Sequence, residues 1–336
     1  MIIIFSSEND LSTIAVAKWL RYFDVEFYVI NPTEGVYNFI RLDQDSIIFY
    51  NTHTKKEINL LDATSCWWRR TGLGKKNFIQ ESLPSQFFID DFDATELISG
   101  KKSALDPEIS DLKEYIFNKV YNTCKINLGH PKLYGLNRLE TLELAQKFGI
   151  KTPQFEVVTN YSQIYNSNIC HNELVTKAIS NGIYHQIDNR SFYTYTELIK
   201  KKDFEKKEMT LFPSLILELV PKKYEIRSFF IEGNFYSMAI FSQSNQQTEV
   251  DFRKYSSQKP NKNEPYKLPQ TIENSLRNLF AEFQLNCGSI DLIKDINDEY
   301  IFLEINPVGQ YGMTSEPCNY NIDRKIAEYL IYGRIY

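Results

Sequence analysis

The sequence is poor in the residues that bind zinc or form disulfide frameworks. Its 336 residues include only 4 histidines and 5 cysteines. The cysteines are widely spaced, with no Cys-x-x-Cys pair, at Cys66, Cys124, Cys170, Cys287 and Cys318. A zinc site needs clustered cysteine and histidine, and an odd number of distant cysteines argues against a disulfide scaffold. We therefore expect reduced thiols in a cytoplasmic protein.

Long hydrophobic runs and an excess of positive charge are also absent. No apolar run approaches the ~20 residues of a membrane span, and the apolar start at residues 1–5 is too short for a signal peptide. The net charge of -5 provides no broad basic surface for nucleic acid. The hydrophobic fraction of 43% and charged fraction of 24% are typical of a soluble globular protein. The length allows two or three domains. From the charge and the apolar runs we expect neither a membrane nor a nucleic-acid partner.

Glycine-rich phosphate-binding motifs are missing as well. The apolar segment 2–5, the helical spacing at 12–22 and the apolar segment 24–31 predict a parallel strand–helix–strand start. The loop after the first strand reads SSEND, without a dinucleotide fingerprint, and GLGKK at 72–76 lacks the spacing of a P-loop. We expect an N-terminal α/β domain that binds no nucleotide through these motifs.

The segment CWWRRTG at residues 66–72 allows two interpretations. Trp67, Trp68, Arg69 and Arg70 could stack on or clamp an anionic ligand. Alternatively they form a strand with one ring in the core and the arginines paired at its edge, which is the more frequent case. We favour the structural interpretation.

The segment Gly288–Pro307 contains two acids that we expect to face each other. It predicts two strands joined by a polar turn at Asn297-Asp298. A two-residue hairpin turn there would place Asp291 directly opposite Glu304. Facing carboxylates repel each other, so a sequence normally avoids this arrangement.

A divalent cation between the two acids would remove the repulsion. Strand alternation puts Phe302, Glu304 and Asn306 on one face, so Asn306 would add an amide oxygen to the two carboxylates. This set of oxygen donors suits Mg²⁺. An ordinary solvated hairpin face explains the same spacing equally well.

Two strands in the middle of the chain each carry one charged residue. Residues 172–180 predict an apolar strand with Lys177, and residues 215–220 predict another with Glu218. A lone strand lysine usually points to solvent, but over a nucleotide it would contact phosphate. A helix at 136–149 precedes them, ending at a C-cap glycine.

Charged residues continue in the C-terminal part. Glu225 and Arg227 share one face of a strand at 224–231. The polar stretch 242–267 contains Asp251, Arg253 and Lys254 in the sequence VDFRKY. These basic groups suit a lid that closes over an anionic substrate, although polarity alone indicates a disordered surface.

The order of these features resembles the ATP-grasp fold, in which two α+β halves hold ATP between their sheets. The family pattern is a strand lysine, an apolar hinge with an acid, an acidic-x-Arg strand, a loop arginine, an Asp strand and Glu-x-Asn. The matching residues are Lys177, the hinge LELV at 217–220, EIR at 225–227, DFR at 251–253, Asp291 and EIN at 304–306.

Four further segments resemble the maturases of graspetides, which close ω-ester or ω-amide rings in ribosomal peptides. They are IIIFSSEND, CWWRRTG, DFRKY and FLEINPVGQYGM. The branch that the chain resembles most, over nearly its whole length, is the grasp-with-spasm branch. Glu225 is a departure, because related amino-acid ligases often have Asp in the acidic-x-Arg motif.

The resemblance implies an α/β and α+β architecture in three parts. An N-terminal parallel α/β domain would cover residues 1–127, and the two ATP-grasp subdomains would cover 128–213 and 214–336, with ATP between them. ATP and Mg²⁺ would be required. The implied metal ligands are Asp291, Glu304 and Asn306.

The remaining implied roles concern ATP and the reacting groups. The residues that would bind ATP are Lys177 at the α/β-phosphates, Glu218, Leu219 and Val220 at adenine, and Glu225 and Lys254. The residues that would act in catalysis are Arg227, Arg253 and Asp251, with the arginines at the γ-phosphate and the substrate carboxylate. No side chain has the pattern of a covalent nucleophile, which agrees with a nucleophile on the substrate.

The implied partner is a ribosomal precursor peptide with a leader and a core rich in Thr/Ser and Asp/Glu. We expect the leader to bind the polar 182–208 region, and a homodimer is possible. The same active site would also serve a ligase that adds a free amino acid to a peptide or protein. A nucleotide-binding module without catalysis is the third hypothesis, although binding alone would not require the γ-phosphate arginines.

Overall fold

The chain forms two compact units in a computed structural model. The first comprises Met1–Tyr134 with Asn321–Tyr336, and the second is Gly135–Tyr320. The division into three parts that the resemblance implies remains a prediction. For the strands at 184–187 and 190–193 the structure describes the backbone only. It describes the rest of the chain except residues 34, 79–104, 133–134, 170–172, 181, 183, 188–189, 194–195, 206–208 and 243–260.

The first unit begins with the predicted parallel strand–helix–strand motif. Strand β1 (Ile2–Phe5) is fully buried and pairs in parallel with β2 (Phe27–Ile30). Helix α1 (Leu11–Tyr22) connects them, and Asp10 caps it by accepting a 2.8 Å hydrogen bond from the backbone N–H of Thr13. This cap satisfies one of the free N–H groups of the first turn.

A second sheet and two further parallel strands complete this unit's N-terminal part. The elements are β3 (Tyr37–Leu42), β4 (Ile47–Asn51), β5 (Lys56–Asn59), β6 (Ser65–Trp68), α2 (Asp106–Thr123) and β7 (Ile126–Leu128). Strands β3, β4 and β5 form an antiparallel sheet in that order. Strand β6 lies between β1 and β7, so the all-parallel sheet has the order β2-β1-β6-β7.

The tryptophans of CWWRRTG belong to the core of this sheet. Trp67 and Trp68 in β6 are 3% and 4% exposed. The ring of Trp68 stacks on Phe5 with 4.7 Å between centroids. Arg69 is 2% exposed and forms an ion pair with Asp10. The structure thus buries both rings where the structural interpretation expected one, and it pairs Arg69 as that interpretation expected.

The second unit begins with an antiparallel sheet flanked by helices. The elements are α3 (Arg138–Lys147), β8 (Phe155–Asn160), α4 (Tyr161–Asn166), β9 (Glu173–Lys177), β10 (Tyr184–Ile187), β11 (Arg190–Tyr193), β12 (Glu197–Lys200) and β13 (Thr210–Glu218). The sheet order is β12-β9-β13-β8, and β10 pairs with β11 separately. Gly149, after α3, has a φ of +80°, the left-handed conformation expected at this helix end.

A five-stranded antiparallel sheet follows in the same unit. The elements are β14 (Lys222–Ile231), β15 (Asn234–Phe241), β16 (Lys262–Tyr266), α5 (Gln270–Glu282), β17 (Cys287–Asp295), β18 (Tyr300–Asn306) and α6 (Gly312–Cys318). The strand order is β16-β15-β14-β17-β18. Glu232 and Gly233 have φ values of +44° and +83° and connect β14 to β15 as a tight hairpin.

The last helix, α7 (Ile322–Tyr332), belongs to the first unit. The indole Nε1 of Trp19 in α1 donates a 2.6 Å hydrogen bond to the carboxylate of Asp323 in α7. The guanidinium of Arg324 lies 5.5 Å from the centroid of the same indole ring. Among the described helices, none has both the length and the apolar composition needed to cross a bilayer.

Candidate functional site

The two acids of Gly288–Pro307 face each other as predicted. In the antiparallel pair of β17 and β18, Asp291 lies opposite Glu304, and Ser289 lies opposite Asn306. The predicted two-residue turn is wrong, because β17 ends at Asp295 and β18 begins at Tyr300. The longer turn moves the register by one residue, and a β-bulge between Asp291 and Leu292 moves it back. The facing pair is therefore restored.

The bulge also changes which side chains share a face of β18. Phe302 lies opposite Leu292, and both are fully buried at 0% exposure. Because Leu292 follows Asp291 in β17, the two point to opposite faces of the sheet. Phe302 therefore does not share a face with Glu304, contrary to strict alternation. Leu303 lines the same cavity as Ile293, which is on the Asp291 face.

Glu304 is held by two cations. The Nζ of Lys177, at the end of β9, lies 2.5 Å from Glu304 Oε2, and Nη2 of Arg138, at the start of α3, lies 2.8 Å from it. Burial raises the pKa of Glu304, but the charges of Lys177 and Arg138 outweigh burial and hold its pKa well below the usual range. Glu304 is therefore a carboxylate at neutral pH. Its Oε1 has no hydrogen-bond partner among the described residues.

Arg138 is a residue of this site that motif reasoning missed. Besides Glu304, its Nη1 donates to the backbone carbonyls of Ala178 and Ser180. It therefore connects α3 to the segment after β9 and to β18. One sequence signal could have found it: a cation in the first turn of a helix opposes the helix dipole and needs another partner. Asn137 is the N-cap of α3, so Arg138 lies in the first turn of the helix.

Arg227 holds the second carboxylate. It lies opposite Asp291 in the pairing of β14 with β17, and its Nη1 is 2.9 Å from both carboxylate oxygens. Arg227 is 7% exposed, so this pair is largely removed from water. Glu225, two residues earlier, forms a buried ion pair with Lys222. The Glu of the acidic-x-Arg motif is therefore occupied by a neighbouring lysine.

The donor set at these strands fits a hard cation. Asp291 and Glu304 supply carboxylate oxygens, and Asn306 lies two residues beyond Glu304 on the same strand. Its Oδ1 accepts from the backbone N–H groups of Val308 and Gly309 at 3.2 and 3.3 Å, so the amide is held in place by the following loop. Among the described residues no three His, Cys, Asp or Glu side chains form a metal-binding group. Because Mg²⁺ is octahedral, it would need ligand oxygens in addition to these three side chains.

Two cavities adjoin the Lys177–Glu304 pair. The smaller, of about 120 Å³, is lined by polar groups that include Lys177, Arg138, Glu304 and Asn306. The larger, of about 380 Å³, is lined by apolar side chains and the Leu217–Val220 segment. The volume of the larger lies in the range of small-ligand pockets. Lys177 and Arg138 line both cavities, so the two cavities adjoin at these cations.

The apolar side chains of the larger cavity come from five strands. They are Val175, Leu198, Leu217, Ile293 and Leu303, with Leu219 and Val220 at the hinge. Glu218 has its carboxylate on the backbone N–H of Gln154 at 3.3 Å, and its own N–H donates to the Gln154 carbonyl at 2.9 Å. β13 ends at Glu218, so the backbone of Leu219 and Val220 continues outside the ladder.

Three predicted site residues lie outside the described residues. They are Asp251, Arg253 and Lys254, all within 243–260. The expected leader-binding region at 182–208 is described in part, as the backbone of β10 and β11, strand β12 and the turn after it. The structure thus brings Lys177, Arg227, Asp291, Glu304 and Asn306 into one unit, with the hinge beside them.

Comparison with known proteins gives matches in structure but none in sequence families. No protein-family model matches this chain, and no curated protein matches its sequence. A Chryseobacterium gregarium RiPP-associated ATP-grasp ligase, solved with ADP and a leader and core peptide, has a TM-score of 0.75 and 22% identity. The match covers 98% of this chain and 96% of that one.

Two other solved structures are similar over their full length. The macrocyclase MdnC of Microcystis aeruginosa MRC, bound to precursor peptide MdnA, has a TM-score of 0.69 and 22% identity, covering 98% of each chain. The ATP-grasp ligase PsnB, complexed with a phosphomimetic variant of its minimal precursor, Mg and ADP, has a TM-score of 0.67 and 14% identity. That match covers 98% of this chain and 97% of PsnB. The predicted mixed α/β fold is confirmed: the chain has the fold of the ATP-grasp ligases.

Proposed function

We propose that this protein is an ATP-dependent peptide macrocyclase. It would activate Asp or Glu side-chain carboxylates of a ribosomal precursor peptide and close ω-ester or ω-amide rings with Thr/Ser or Lys. The observation that supports this most strongly is the cluster of Lys177, Arg138 and Glu304 beside an apolar cavity, in a chain with this fold. The similar solved enzymes were captured with precursor peptides and ADP.

The apolar cavity suits the adenine of ATP. A flat aromatic base would lie among side chains such as Val175, Leu217 and Leu303. The backbone of Leu219 and Val220 lies on its rim and would supply hydrogen bonds to the base edge. The carboxylate of Glu218 is bound to Gln154, so we assign its contribution to adenine recognition to its backbone carbonyl. These contacts would select a nucleobase by shape and edge pattern.

The polar cavity suits the phosphates. Lys177 and Arg138 would contact phosphate oxygens, since both cations line this cavity and the adjoining apolar one. Arg227, with Arg253 and Lys254, would neutralise the γ-phosphate and the substrate carboxylate. Mg²⁺ held by Asp291, Glu304 and Asn306 would neutralise phosphate charge during transfer. Asp251 would act in catalysis, and Glu225 would belong to the ATP site.

The chemistry explains why ATP is needed. A side-chain carboxylate is a poor electrophile at neutral pH, and transfer of the γ-phosphoryl group turns it into an acyl phosphate. A hydroxyl or amine of the same peptide then attacks the carbonyl carbon and releases phosphate. The arginines would stabilise the oxyanion that forms in this step. The nucleophile belongs to the peptide, so the enzyme contributes positioning and charge.

Several finer points belong to the proposal. The enzyme would belong to the grasp-with-spasm branch, be cytoplasmic and form a homodimer. Its precursor would have a leader that binds at 182–208 and a core rich in Thr/Ser and Asp/Glu. A short open reading frame beside the gene, with such a core, would identify the candidate precursor.

The test is to mix that peptide with the protein, ATP and Mg²⁺ and to weigh the products. We expect the loss of one water, about 18 Da, for each ring, with one ADP formed per ring. A peptide that gains the mass of a free amino acid would instead indicate a ligase that uses amino acids. If no ADP forms with any peptide tested, the result would indicate a nucleotide-binding module without catalysis.

A further inference from the structure

A cationic position lies at the edge of the parallel sheet in the first unit. The backbone N–H groups of Arg69 and Arg70 both donate to the Phe5 carbonyl at 2.9 Å, so these two arginines follow the paired ends of β1 and β6. In the strand order β2-β1-β6-β7 the winding direction reverses between β1 and β6. Open parallel sheets bind ligands outside the carboxyl ends of their strands at such a reversal.

Asp10 fixes the two arginines in place. Its Oδ1 accepts from Arg69 Nε and its Oδ2 from Arg70 Nε, each at 3.2 Å. The Asp10 side chain is 5% exposed, the Arg69 side chain 2% and the Arg70 side chain 31%. Burial raises the pKa of Asp10, but the charge of Arg69 and the hydrogen bonds from Thr13, Arg69 and Arg70 together outweigh burial and keep the pKa below its ordinary value. In the part of the chain that the structure describes, one carboxylate is thus shared by two guanidinium groups, so the two arginines carry one positive charge more than their common partner offsets.

That uncompensated charge belongs to Arg70. Arg69 also donates to Ser12 Oγ at 3.1 Å and lies 5.7 Å from the centroid of the Trp67 ring, so it is occupied. Arg70 uses only its Nε, and its two terminal nitrogens have no hydrogen-bond partner in the described part of the chain. A guanidinium held through Nε presents its remaining donors in a fixed plane. This geometry suits a carboxylate.

An exposed apolar pair lies in the first turn of α1, the helix that Asp10 caps. Leu11 follows Asp10 directly and is 80% exposed, and Ile14 is 45% exposed. They are three residues apart on α1, so they share one face of its first turn. Single exposed aliphatic residues are common, but here Asp10 both caps the helix that carries the pair and holds Arg70, which suits a ligand with an acid next to an apolar group.

We propose that Arg70 binds a carboxylate of the peptide substrate and that Leu11 and Ile14 receive the apolar side chain beside it. This inference rests on the proposed function, which requires a peptide rich in Asp and Glu. It adds a recognition position for acidic residues that is built from the first unit alone. Arg70 is a binding residue in this proposal, and no bond is made or broken there.

The test measures binding of two short synthetic peptides without nucleotide. The probes are acetyl-Leu-Glu-Leu-amide and its neutral counterpart acetyl-Leu-Gln-Leu-amide, titrated into the full-length protein and followed by the ¹⁵N signals of the arginine side chains. We expect the Arg70 signals to shift with the Glu peptide, which should bind about tenfold or more tightly than the Gln peptide, as for a charge-assisted hydrogen bond. Equal binding of the two peptides to the wild type would overturn the proposal.

Variants separate Arg70 from general charge effects. Arg70→Gln should lose the preference for the Glu peptide, and Arg41→Gln should keep it, because Arg41 is an exposed arginine of the same unit that also pairs with an acid. Retained preference in Arg70→Gln would contradict the proposal. If that variant does not fold, Arg70→Lys and the wild-type peptide comparison still decide. All of these variants should bind a non-hydrolysable ATP analogue as the wild type does. If the wild type does not bind the analogue, the result counts against the proposed function and not against the role of Arg70.

Discussion

Asp291 and Glu304 lie directly opposite each other in β17 and β18, and each carboxylate is paired with its own cations. Arg227 holds Asp291, while Lys177 and Arg138 hold Glu304. Two facing acids would repel each other if they were unpaired. The cations come from strands β14 and β9 and from helix α3, so three separate elements converge on one hairpin. Such an arrangement is expected where both a metal and phosphates must be bound.

Glu304→Gln should abolish nucleotide-dependent turnover and leave the fold intact. The amide keeps the size of the side chain but removes the charge that a metal and Lys177 require, so we expect a loss of at least ~10²-fold in kcat/KM. ADP formation measures activity and circular dichroism measures folding. The control is Glu299→Gln in the same hairpin, an exposed acid paired with Lys151. An unfolded or fully active Glu304→Gln variant would return this hairpin to an ordinary surface role.

Lys177→Met should weaken ATP binding. The variant keeps the aliphatic stem and loses one charge that lines both cavities. Loss of a charge-assisted contact predicts about a 10- to 100-fold higher Kd for a non-hydrolysable ATP analogue, measured by calorimetry. Lys200→Met is the matched control, because Lys200 lies on the adjacent strand β12 with an exposed partner, Glu173. Equal affinity of the two variants would remove Lys177 from the phosphate site.

Arg138→Lys should affect both stability and nucleotide binding. Lysine keeps the charge but cannot reach Glu304 and the carbonyls of Ala178 and Ser180 at once. We expect the free energy of unfolding in urea to fall by about 1–3 kcal/mol and the affinity for the ATP analogue to fall as well.

Arg277→Lys serves as the control for Arg138→Lys. Arg277 in α5 likewise contacts several groups, including Glu273 and the Gly233 carbonyl. It should lose stability without losing affinity for the ATP analogue. If both variants bind the analogue as the wild type does, Arg138 has a structural role only.

Glu304 should also contribute to the acid dependence of stability. Its pKa in the folded protein lies below the usual value, despite burial, because of Lys177 and Arg138. A depressed folded pKa gives a contribution that is complete above the unfolded pKa of about 4.5 and is lost as the pH falls below it. The unfolding free energy of Glu304→Gln should therefore fall less steeply below pH ~4.5 than that of the wild type.

The control for this pH dependence is Glu114→Gln. Glu114 also has a lowered pKa, mainly through its hydrogen bond with Lys132, but it is fully exposed. Surface pairs are screened by solvent and salt, so this variant should follow the wild type closely. Urea titrations between pH 7 and pH 3 measure both. A Glu304→Gln curve parallel to the wild type would contradict the ion-pair account.

The sequence predicted the strands of the site because each carries a strong local pattern. Lys177, Arg227 and Asp291 lie on apolar strands of ordinary length, and their order matches the ATP-grasp pattern. The facing pair was also correct, although the turn was not. Side-chain alternation cannot reveal a bulge. The bulge arises because the turn at 296–299 sets one register near the turn while Asp291 and Glu304 pair in another.

Arg138 was missed for a different reason. It lies 166 residues before Glu304, so no local spacing connects them. Its only local signal is a positive charge at a helix N-terminus, which is weak by itself. The side chains that hold Glu304 come from α3 and β9, and only the fold brings these elements together. The same limit applies to Asp10 and Arg70, which are 60 residues apart and meet because β1 and β6 are neighbours.

The most direct test of the central claim follows an oxygen atom from the peptide carboxylate. The candidate precursor is prepared with ¹⁸O in its Asp and Glu side chains and is incubated with the protein, ATP and Mg²⁺. If the carboxylate is activated as an acyl phosphate, each ring closed should release one phosphate that carries one ¹⁸O, together with one ADP. Ring closure with unlabelled phosphate, or with ¹⁸O appearing in AMP, would contradict the account.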